Sequence, residues 1–418
     1  MAALGSSVMS EFGGPVGVRS RRSSTDTAQA RPGTTRKPLA IDLFCGAGGL
    51  SYGLEAAGFS VALGLDFNKH ALETFRLNHS GKALLADARE VSGDDLLAEA
   101  GVAEIDLLAG GPSCQGFSTH GKRLADDPRN FLYREFMRLV GDLRPATVLM
   151  ENVKGILISG KGAFREQVVD AFEEFGYKVH GRVLLAADYG VPQMRERVFF
   201  LASRLGSDIT FPVAGFGAAE SLEVQAGQKR AHRTVSDALG DLPLIGSDWK
   251  MQPLPYADVP LTEYQKLMRA GSSKLWNHVS RPLSPLAESI VTRLQPGQGL
   301  RSIPVDDLPE RFYKMRRIST GELRRDCTTL YHRLSPDRPS YTITCNFTNV
   351  SAGAFTHPYE DRAITRREAA RLQSFPDRFK FVGASIPHQI GNAVPPILSA
   401  AVGVQLREHL ARHGIAAA

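Results

Sequence analysis

Four short apolar runs, each followed by glycines or polar residues, constrain the fold of this 418-residue chain more than any other feature. The runs end at Phe44, Leu65, Ala109 and Met150, and stretches with helical spacing of apolar residues separate them. Strands, turns and helices repeated in this way predict a doubly wound α/β sheet, in which the parallel strands end at one edge. Active sites of such sheets lie at that edge.

The first run leads into the glycine turn Cys45-Gly46-Ala47-Gly48-Gly49, and a helical pattern begins at Leu50. The turn has the spacing G-x-G-G, whereas dinucleotide-binding folds have G-x-G-x-x-G. Alone, it is a weak indication of a nucleotide-like cofactor. A tight strand-to-helix turn without a ligand is an open alternative at this point.

Acidic residues follow the next two apolar stretches. Asp66 lies 17 residues after Gly49, where a carboxylate can accept hydrogen bonds from ribose hydroxyls, and Phe67 beside it can lie against a base. Asp87 follows the apolar stretch 83–86. Either carboxylate alone could be a solvated loop residue, but three successive strand ends with polar or glycine features favour a cofactor crevice.

Cys114 follows the apolar run 105–109 in the stretch GGPSCQGFS. Structural cysteines normally have apolar neighbours, whereas Ser, Gln and Gly surround this thiol. Local context alone leaves a nucleophile and an ordinary loop cysteine equally open. The other cysteines, Cys45, Cys327 and Cys345, lie far apart without metal-site spacing, so neither a zinc site nor a disulfide framework is expected, and the compartment is predicted to be reducing.

A carboxylate and two arginines follow at the same predicted edge. The fourth apolar run delivers Glu151, and the stretch QMRER places Arg195 and Arg197 directly before the predicted strand 198–202. A thiol, a carboxylate and an arginine pair thus converge from separate strand ends. Doubly wound sheets build active sites in this way.

The regular alternation of strands and helices stops between residues 205 and 329, where Pro and Gly are frequent. We predict an inserted second domain there, between catalytic segments 38–204 and 330–418.

The basic tail 1–37 has few large apolar residues and is expected to be disordered. Its Arg- and Ser-rich composition also suits a mitochondrial transit peptide, which nothing else in the sequence favours. Farther along, Thr365 and Glu368 have the spacing of a capping box and predict a helix start.

Residues 311–325 form the most basic segment of the predicted insert. Six basic residues stand against one acidic residue, which gives +5 in a chain whose net charge is +6. A solvated charged face is the common explanation of such a run. We favour contact with a polyanion, centred on Arg316 and Arg317, because the charge is concentrated and interleaved with aromatic residues.

The ordered set DLFCGAGG, GGPSCQGFS, ENV, QMRER, RLQSFP and QIGNAVPP closely resembles the DNA (cytosine-5) methyltransferase family from Leu39 to Leu410. The resemblance implies a Rossmann-like, mixed but mainly parallel sheet that binds S-adenosylmethionine. It also implies a smaller target-recognition domain inserted before RLQSFP, with duplex DNA in the cleft between the domains. No metal is expected.

The resemblance also implies a role for individual residues. The catalytic residues would be Cys114 as the nucleophile, Glu151 and Arg197 around the target base, and Arg195 beside them. The cofactor-binding residues would be Phe44, Cys45, Gly46, Ala47, Gly48, Gly49, Leu50, Asp66, Phe67, Asp87, Ala88, Pro112, Asn392 and Ala393. The DNA-binding residues would be Gln115, Ser118, Arg316 and Arg317.

The reaction that the family performs explains these residue types. A thiolate adds at carbon 6 of cytosine, and carbon 5 of the resulting enamine attacks the sulfonium methyl group. Glu151 would stabilise the adduct at the N3 and N4 edge, and Arg197 would hold O2. Because carbon 6 is inaccessible in a stacked duplex, the cytosine must be flipped out. The family usually has Pro before the nucleophile, whereas this chain has Ser113.

Two other functions remain possible from the sequence. One is methylation of cytosine in transfer RNA on the same fold, and the other is a catalytically silent DNA-binding relative. The length of the insert favours duplex DNA, and the presence of Cys114, Glu151 and Arg197 favours an active enzyme. We expect a cytoplasmic bacterial monomer without membrane attachment, associated with the nucleoid when it binds DNA, with a cognate restriction endonuclease as a possible partner.

Overall fold

A computed structural model describes residues 36–112, 131–157, 163–246, 252–317 and 320–415. The described ranges contain a seven-stranded sheet with the strand order β3-β2-β1-β4-β5-β7-β6. Its strands are β1 (Leu39–Leu43), β2 (Ser60–Asp66), β3 (Lys82–Leu85), β4 (Leu107–Gly110), β5 (Thr147–Val153), β6 (Lys178–Leu185) and β7 (Glu196–Ser203). A pair of two-residue strands, β8 (Phe216–Gly217) and β9 (Arg230–Ala231), lies apart from it.

Helices connect the strands of the first half and occur in short segments in the second half. They are α1 (Gly49–Ala56), α2 (Lys69–Asn78), α3 (Gly93–Ala100), α4 (Phe131–Leu143), α5 (Ala163–Glu174), α6 (Leu222–Gln225), α7 (Val235–Leu239), α8 (Glu263–Arg269), α9 (Pro285–Val291), α10 (Arg366–Leu372), α11 (Ile386–Gly391) and α12 (Pro396–Arg412). Within the described ranges, no helix is long and apolar enough to cross a membrane.

The strand pairing confirms the predicted doubly wound, mainly parallel sheet. β1 pairs in parallel with both β2 and β4, and β4 pairs in parallel with β5. β7 is antiparallel to its neighbours β5 and β6. Strands β2 and β3 are therefore added on one side of β1, and β4 and β5 on the other side. In doubly wound sheets, this change of side between β1 and β4 creates a crevice at the carboxyl ends of the strands. The amino end of β7 lies at this same edge.

Local sequence signals account for several of the helix ends. The predicted capping box is confirmed at α10, where the Thr365 hydroxyl accepts a hydrogen bond from the Glu368 N–H at 3.0 Å and the Glu368 carboxylate accepts one from the Thr365 N–H at 2.6 Å. Ser92 and Asp95 form the same arrangement at α3, which Gly101 ends in the left-handed conformation.

Hydrophobic residues form clusters on both faces of the sheet and a third cluster away from it. The third cluster contains residues of the range 287–363, among them Ile290, Phe312, Tyr331 and Val350. Residues 235–245 and 254–275, which belong to the predicted insert, pack instead with α10 to α12 in the cluster on one face of the sheet. Buried ion pairs of Arg371 with Asp241 and Asp377 reinforce this packing.

Candidate active site

The glycine turn between β1 and α1 has a backbone that ordinary residues adopt with strain. Phe44, Gly46 and Gly48 have φ angles of 59°, 55° and 94°, in the left-handed region. A Cβ atom at Gly48 would lie 2.1 Å from Nε2 of His79, whose ring is buried and stacks on Phe75. The turn therefore needs glycine at position 48 for both its conformation and its close contact with a buried ring.

Asp66 at the end of β2 is joined to the glycine turn. Its carboxylate accepts hydrogen bonds from the N–H groups of Gly46 and Asn68, both at 2.8 Å. Burial raises the pKa of Asp66, and these hydrogen bonds oppose the rise. The next residue, Phe67, has 70% of its surface exposed. An acceptor carboxylate and an uncovered aromatic ring thus lie side by side at the crevice.

These residues fit the cofactor that the resemblance implies. A Cβ atom at Gly46 would meet nothing within 4 Å, so the turn is open on that side. A Cβ atom at Gly49 would lie 2.5 Å from the Val394 carbonyl and 3.1 Å from Cβ of Ala393. The packing thus brings the segment 392–394, from the far end of the chain, against the turn.

The remaining predicted cofactor residues differ in their surroundings. Asp87 forms an ion pair with Arg89 at 2.6 Å, and this hydrogen-bonded contact lowers the pKa of Asp87. Ala88 is buried and Asn392 is exposed. Pro112 is buried and accepts a hydrogen bond from the Asn152 side chain at 2.9 Å.

Glu151 and Arg197 form an ion pair at the carboxyl end of β5. The Arg197 Nε lies 2.9 Å from the Glu151 carboxylate, and both side chains are largely buried. Burial raises the pKa of Glu151, and the Arg197 charge opposes the rise. A Cβ atom at Gly111 would lie 3.0 Å from Oε2 of Glu151, so the chain leading to Cys114 passes close to this carboxylate.

Arg195, two residues away, has different neighbours from Arg197. It is fully buried and donates hydrogen bonds to the carbonyls of Ile343 at 3.0 Å and Gly391 at 2.9 Å. Burial and the nearby Arg197 charge lower the pKa of Arg195. The side chain therefore links the segment just before β7 to two distant segments of the chain.

Sequence reasoning assigned no role to Gln193 and Asn152, although both lie in recognised motifs. Gln193 donates to the Leu372 carbonyl at 3.0 Å and accepts from the Ile343 N–H at 2.8 Å. Asn152 holds the Pro112 carbonyl. The motifs QMRER and ENV could have identified Gln193 and Asn152 from the sequence. No sequence motif points to His79, which packs against the glycine turn.

Five of the predicted residues are not part of this geometry. Cys114, Gln115 and Ser118 lie outside the described residues. Arg316 forms an ion pair with Asp306 at 2.8 Å and covers the Tyr313 ring at 4.0 Å, whereas the Arg317 side chain is exposed. Within the described ranges, no group of acidic, His or Cys side chains could hold a metal ion.

Comparisons with known proteins give a consistent result. The model of a family described as C-5 cytosine-specific DNA methylase matches residues 39–408. The Type II methyltransferase M.AgeI of Thalassovita gelatinovora is 34% identical over 424 residues, which cover 88% of this chain and 98% of that protein. The Type II methyltransferase M1.HphI of Haemophilus parahaemolyticus is 36% identical over 368 residues, which cover 87% and 84%.

A solved structure is also similar over most of the chain. It is a putative DNA modification methyltransferase encoded within a prophage of E. coli, with a TM-score of 0.68 and 26% identity. The similarity covers 90% of this chain and 100% of that chain.

Proposed function

The chain belongs to the C-5 cytosine-specific DNA methylases, and from this membership we propose how its residues share the reaction. It is a DNA (cytosine-5) methyltransferase that uses S-adenosylmethionine and proceeds through a covalent cysteine adduct, as predicted. The assignment of individual residues, the target and the partners are our proposals.

We propose that the glycine turn Phe44–Leu50, Asp66 and Phe67 hold S-adenosylmethionine. Asp66 would accept hydrogen bonds from the ribose hydroxyls, and the exposed Phe67 ring would lie on the adenine. Asp87, Ala88, Pro112, Asn392 and Ala393 would complete the pocket. The bound cofactor supplies an electrophilic methyl group.

The catalytic assignment rests on the Glu151–Arg197 ion pair, which lies beside the glycines that lead to Cys114. We propose that the Cys114 thiolate adds to carbon 6 of the cytosine and that Glu151 and Arg197 hold the N3, N4 and O2 edge. After methylation of carbon 5, the proton on that carbon would pass to water, and the electrons of the broken C–H bond would restore the C5–C6 double bond and release the Cys114 thiolate. Arg195 would act as a positioning residue, because its donors bind main-chain carbonyls.

The raised pKa of Glu151 supports its proposed part in this reaction. Burial disfavours the charged carboxylate. A neutral carboxyl can donate a proton or a hydrogen bond to N3 of the cytosine, which removes electron density from the ring and promotes thiolate addition at carbon 6. The nearby Arg197 charge keeps the pKa from rising further.

We propose that the target is a specific sequence in duplex DNA, read by the predicted domain 205–329. The separate hydrophobic cluster, which has members between residues 287 and 363, supports a recognition unit with its own core. This core extends past residue 329, and the parts 235–245 and 254–275 of the predicted domain pack on the sheet instead. Type II methyltransferases among the relatives support a cognate restriction endonuclease as a partner. A monomer that associates with the nucleoid on DNA is the simplest assembly for this role.

Methyl transfer to DNA carrying 5-fluorocytosine tests the catalytic assignment directly. Fluorine blocks elimination from carbon 5, so the protein should form an adduct that survives denaturing electrophoresis and maps to Cys114. The Cys114→Ala variant should lose methyl transfer while retaining DNA affinity, whereas the matched variant Cys345→Ala should keep both. An adduct on Cys345, or turnover of Cys114→Ala within about tenfold of wild type, would contradict the assignment.

A further inference from the structure

Two large apolar side chains are exposed together at the edge of the sheet that carries Glu151 and Arg197. Met194 is 43% exposed and Tyr341 is 44% exposed. Because Gln193 pairs in parallel with Ser340, the next residues of the two segments also lie opposite each other and on the same face. Met194 and Tyr341 therefore form one apolar surface, which we call the rim platform.

Main-chain hydrogen bonds fix the backbone of the rim platform. The Ser340 N–H donates to the Pro192 carbonyl at 3.0 Å, and the Met194 N–H donates to the Ser340 carbonyl at 2.8 Å. The Thr342 hydroxyl donates to the Met194 carbonyl at 2.9 Å. The backbone of the rim platform is thus fixed before a ligand covers it, which lowers the entropy that binding would cost.

Fully buried polar side chains support the rim platform from below. Gln193 joins the Ile343 N–H to α10, and Arg195 joins the Ile343 and Gly391 carbonyls. The Tyr341 ring is braced by an edge contact with His332, with ring centroids 5.1 Å apart. Buried residues on both sides of Met194 therefore hold two apolar side chains outward, although burying them would be favourable.

The rim platform lies within reach of the proposed base pocket. Met194 precedes Arg197 by three residues, so their Cα atoms are at most about 11 Å apart. Arg197 in turn contacts Glu151. When the target cytosine occupies that pocket, the strand that carries it must pass over the rim of the pocket on its way back to the duplex.

We propose that the rim platform packs against the nucleotide next to the flipped cytosine, with the Tyr341 ring on its base or sugar. Every base offers an aromatic face, and stacking on a protein ring offsets part of the stacking that the duplex loses on flipping. Tyr341 and Met194 are thus positioning residues for the target strand. This inference rests on the proposed pocket at Glu151 and Arg197.

The test compares Tyr341→Ala with Tyr341→Phe on unmethylated bacterial genomic DNA and radiolabelled S-adenosylmethionine. Loss of the ring should raise the KM for DNA about 5- to 150-fold, the range for one stacked base, with kcat within about twofold. Tyr341→Phe should behave like wild type. The dependence of DNA affinity on salt should keep its slope, because no charge is removed.

Tyr359→Ala is the matched control, since Tyr359 is also exposed, at 64%, and lies outside the rim platform. Met194→Ala should raise the KM for DNA in the same direction as Tyr341→Ala and by a smaller factor. Melting temperature and cofactor affinity, measured for each variant, identify damage to the fold.

Three results would overturn the proposal. One is an unchanged KM in Tyr341→Ala, and another is an equal loss in Tyr359→Ala. The third is a fall in kcat and melting temperature without a change in KM, which would mean that the ring packs against this chain itself. Adduct formation on Cys114 in wild type is scored separately, so failure of the catalytic assignment is distinguishable from failure of the rim platform.

Discussion

The cofactor side and the base side of the active site are built in different ways. On the cofactor side, the glycine turn and Asp66 belong to neighbouring strands and are joined by a hydrogen bond across 20 positions of sequence. On the base side, Arg195 reaches carbonyls 148 and 196 positions away. The link between the glycine turn and Asp66 is thus short in sequence, whereas the contacts of Arg195 depend on tertiary packing.

This difference predicts different responses to substitution. The cofactor side depends on backbone conformation and small residues, so an added methyl group should damage it. The base side depends on buried charged groups that support one another, so loss of a partner should change the protonation of the residue left behind. Four experiments, given from the largest expected effect to the smallest, test the contrast.

The cofactor side should fail completely in the Gly48→Ala variant. Its Cβ atom would collide with the buried His79 ring, and the φ angle of 94° is already unfavourable for alanine. We expect binding of S-adenosylmethionine to become undetectable by calorimetry. Gly176→Ala is the control, because this glycine also has a positive φ angle and lies outside the proposed cofactor pocket, and its Cβ atom would meet nothing within 4 Å and would add about 1 to 2 kcal/mol of backbone strain alone. Equal affinity of the two variants for S-adenosylmethionine would show that a collision with His79 does not control cofactor binding.

On the base side, the Arg197→Met variant should lower the rate of methyl transfer. We expect single-turnover methyl transfer to fall about 100- to 1,000-fold, the range for a lost donor at a reacting group. Burial raises the pKa of Glu151 and Arg197 opposes this, so the variant should raise the pKa further. The neutral carboxyl then persists to higher pH, and the alkaline limb of the rate profile should move upward.

Arg204→Met serves as the control for this experiment, because Arg204 follows the opposite end of β7. Its rate and its pH profile should match those of wild type. A fall in the rate of Arg197→Met with an unmoved alkaline limb would argue that the neutral Glu151 carboxyl is not the reacting form.

A smaller loss is expected on the cofactor side for Asp66→Ala. The variant should weaken S-adenosylmethionine binding by about 1.5 to 3 kcal/mol, the range for hydrogen bonds to a charged group, measured by calorimetry. Asp87→Ala should lose less, since the Asp87 carboxylate is engaged by Arg89 at the surface. Unchanged affinity in Asp66→Ala would remove this residue from the pocket.

The smallest effect is expected in the recognition region, where the two predicted DNA-contact arginines differ. Arg317→Gln should lower the slope of log affinity against log salt by about 0.9, one phosphate contact. Arg316→Gln should change the slope less, because Arg316 is paired with Asp306 and covers Tyr313. If wild type and both variants have equal slopes, the basic segment 311–325 does not contact DNA phosphates and is a solvated surface.

The sequence by itself determined the succession of strands and helices in the first half, the capping box at α10, and the edge of the sheet at which the predicted site residues lie. These features follow from interactions between residues close in sequence or from the period of apolar residues, which a linear pattern contains. The family motifs added the cofactor and the reaction. Asp66 and the glycine turn lie together as the sequence predicted.

Only the tertiary structure showed which groups Arg195 and Arg197 contact. Both arginines lie in the motif QMRER. Arg195 donates hydrogen bonds to the carbonyls of Ile343 and Gly391, whereas Arg197 forms an ion pair with Glu151. In the same way, Arg316 meets an acid from outside its basic run, and Phe312 is buried within that run. Such pairings depend on which distant segments pack together, and the summed packing of the whole fold decides that.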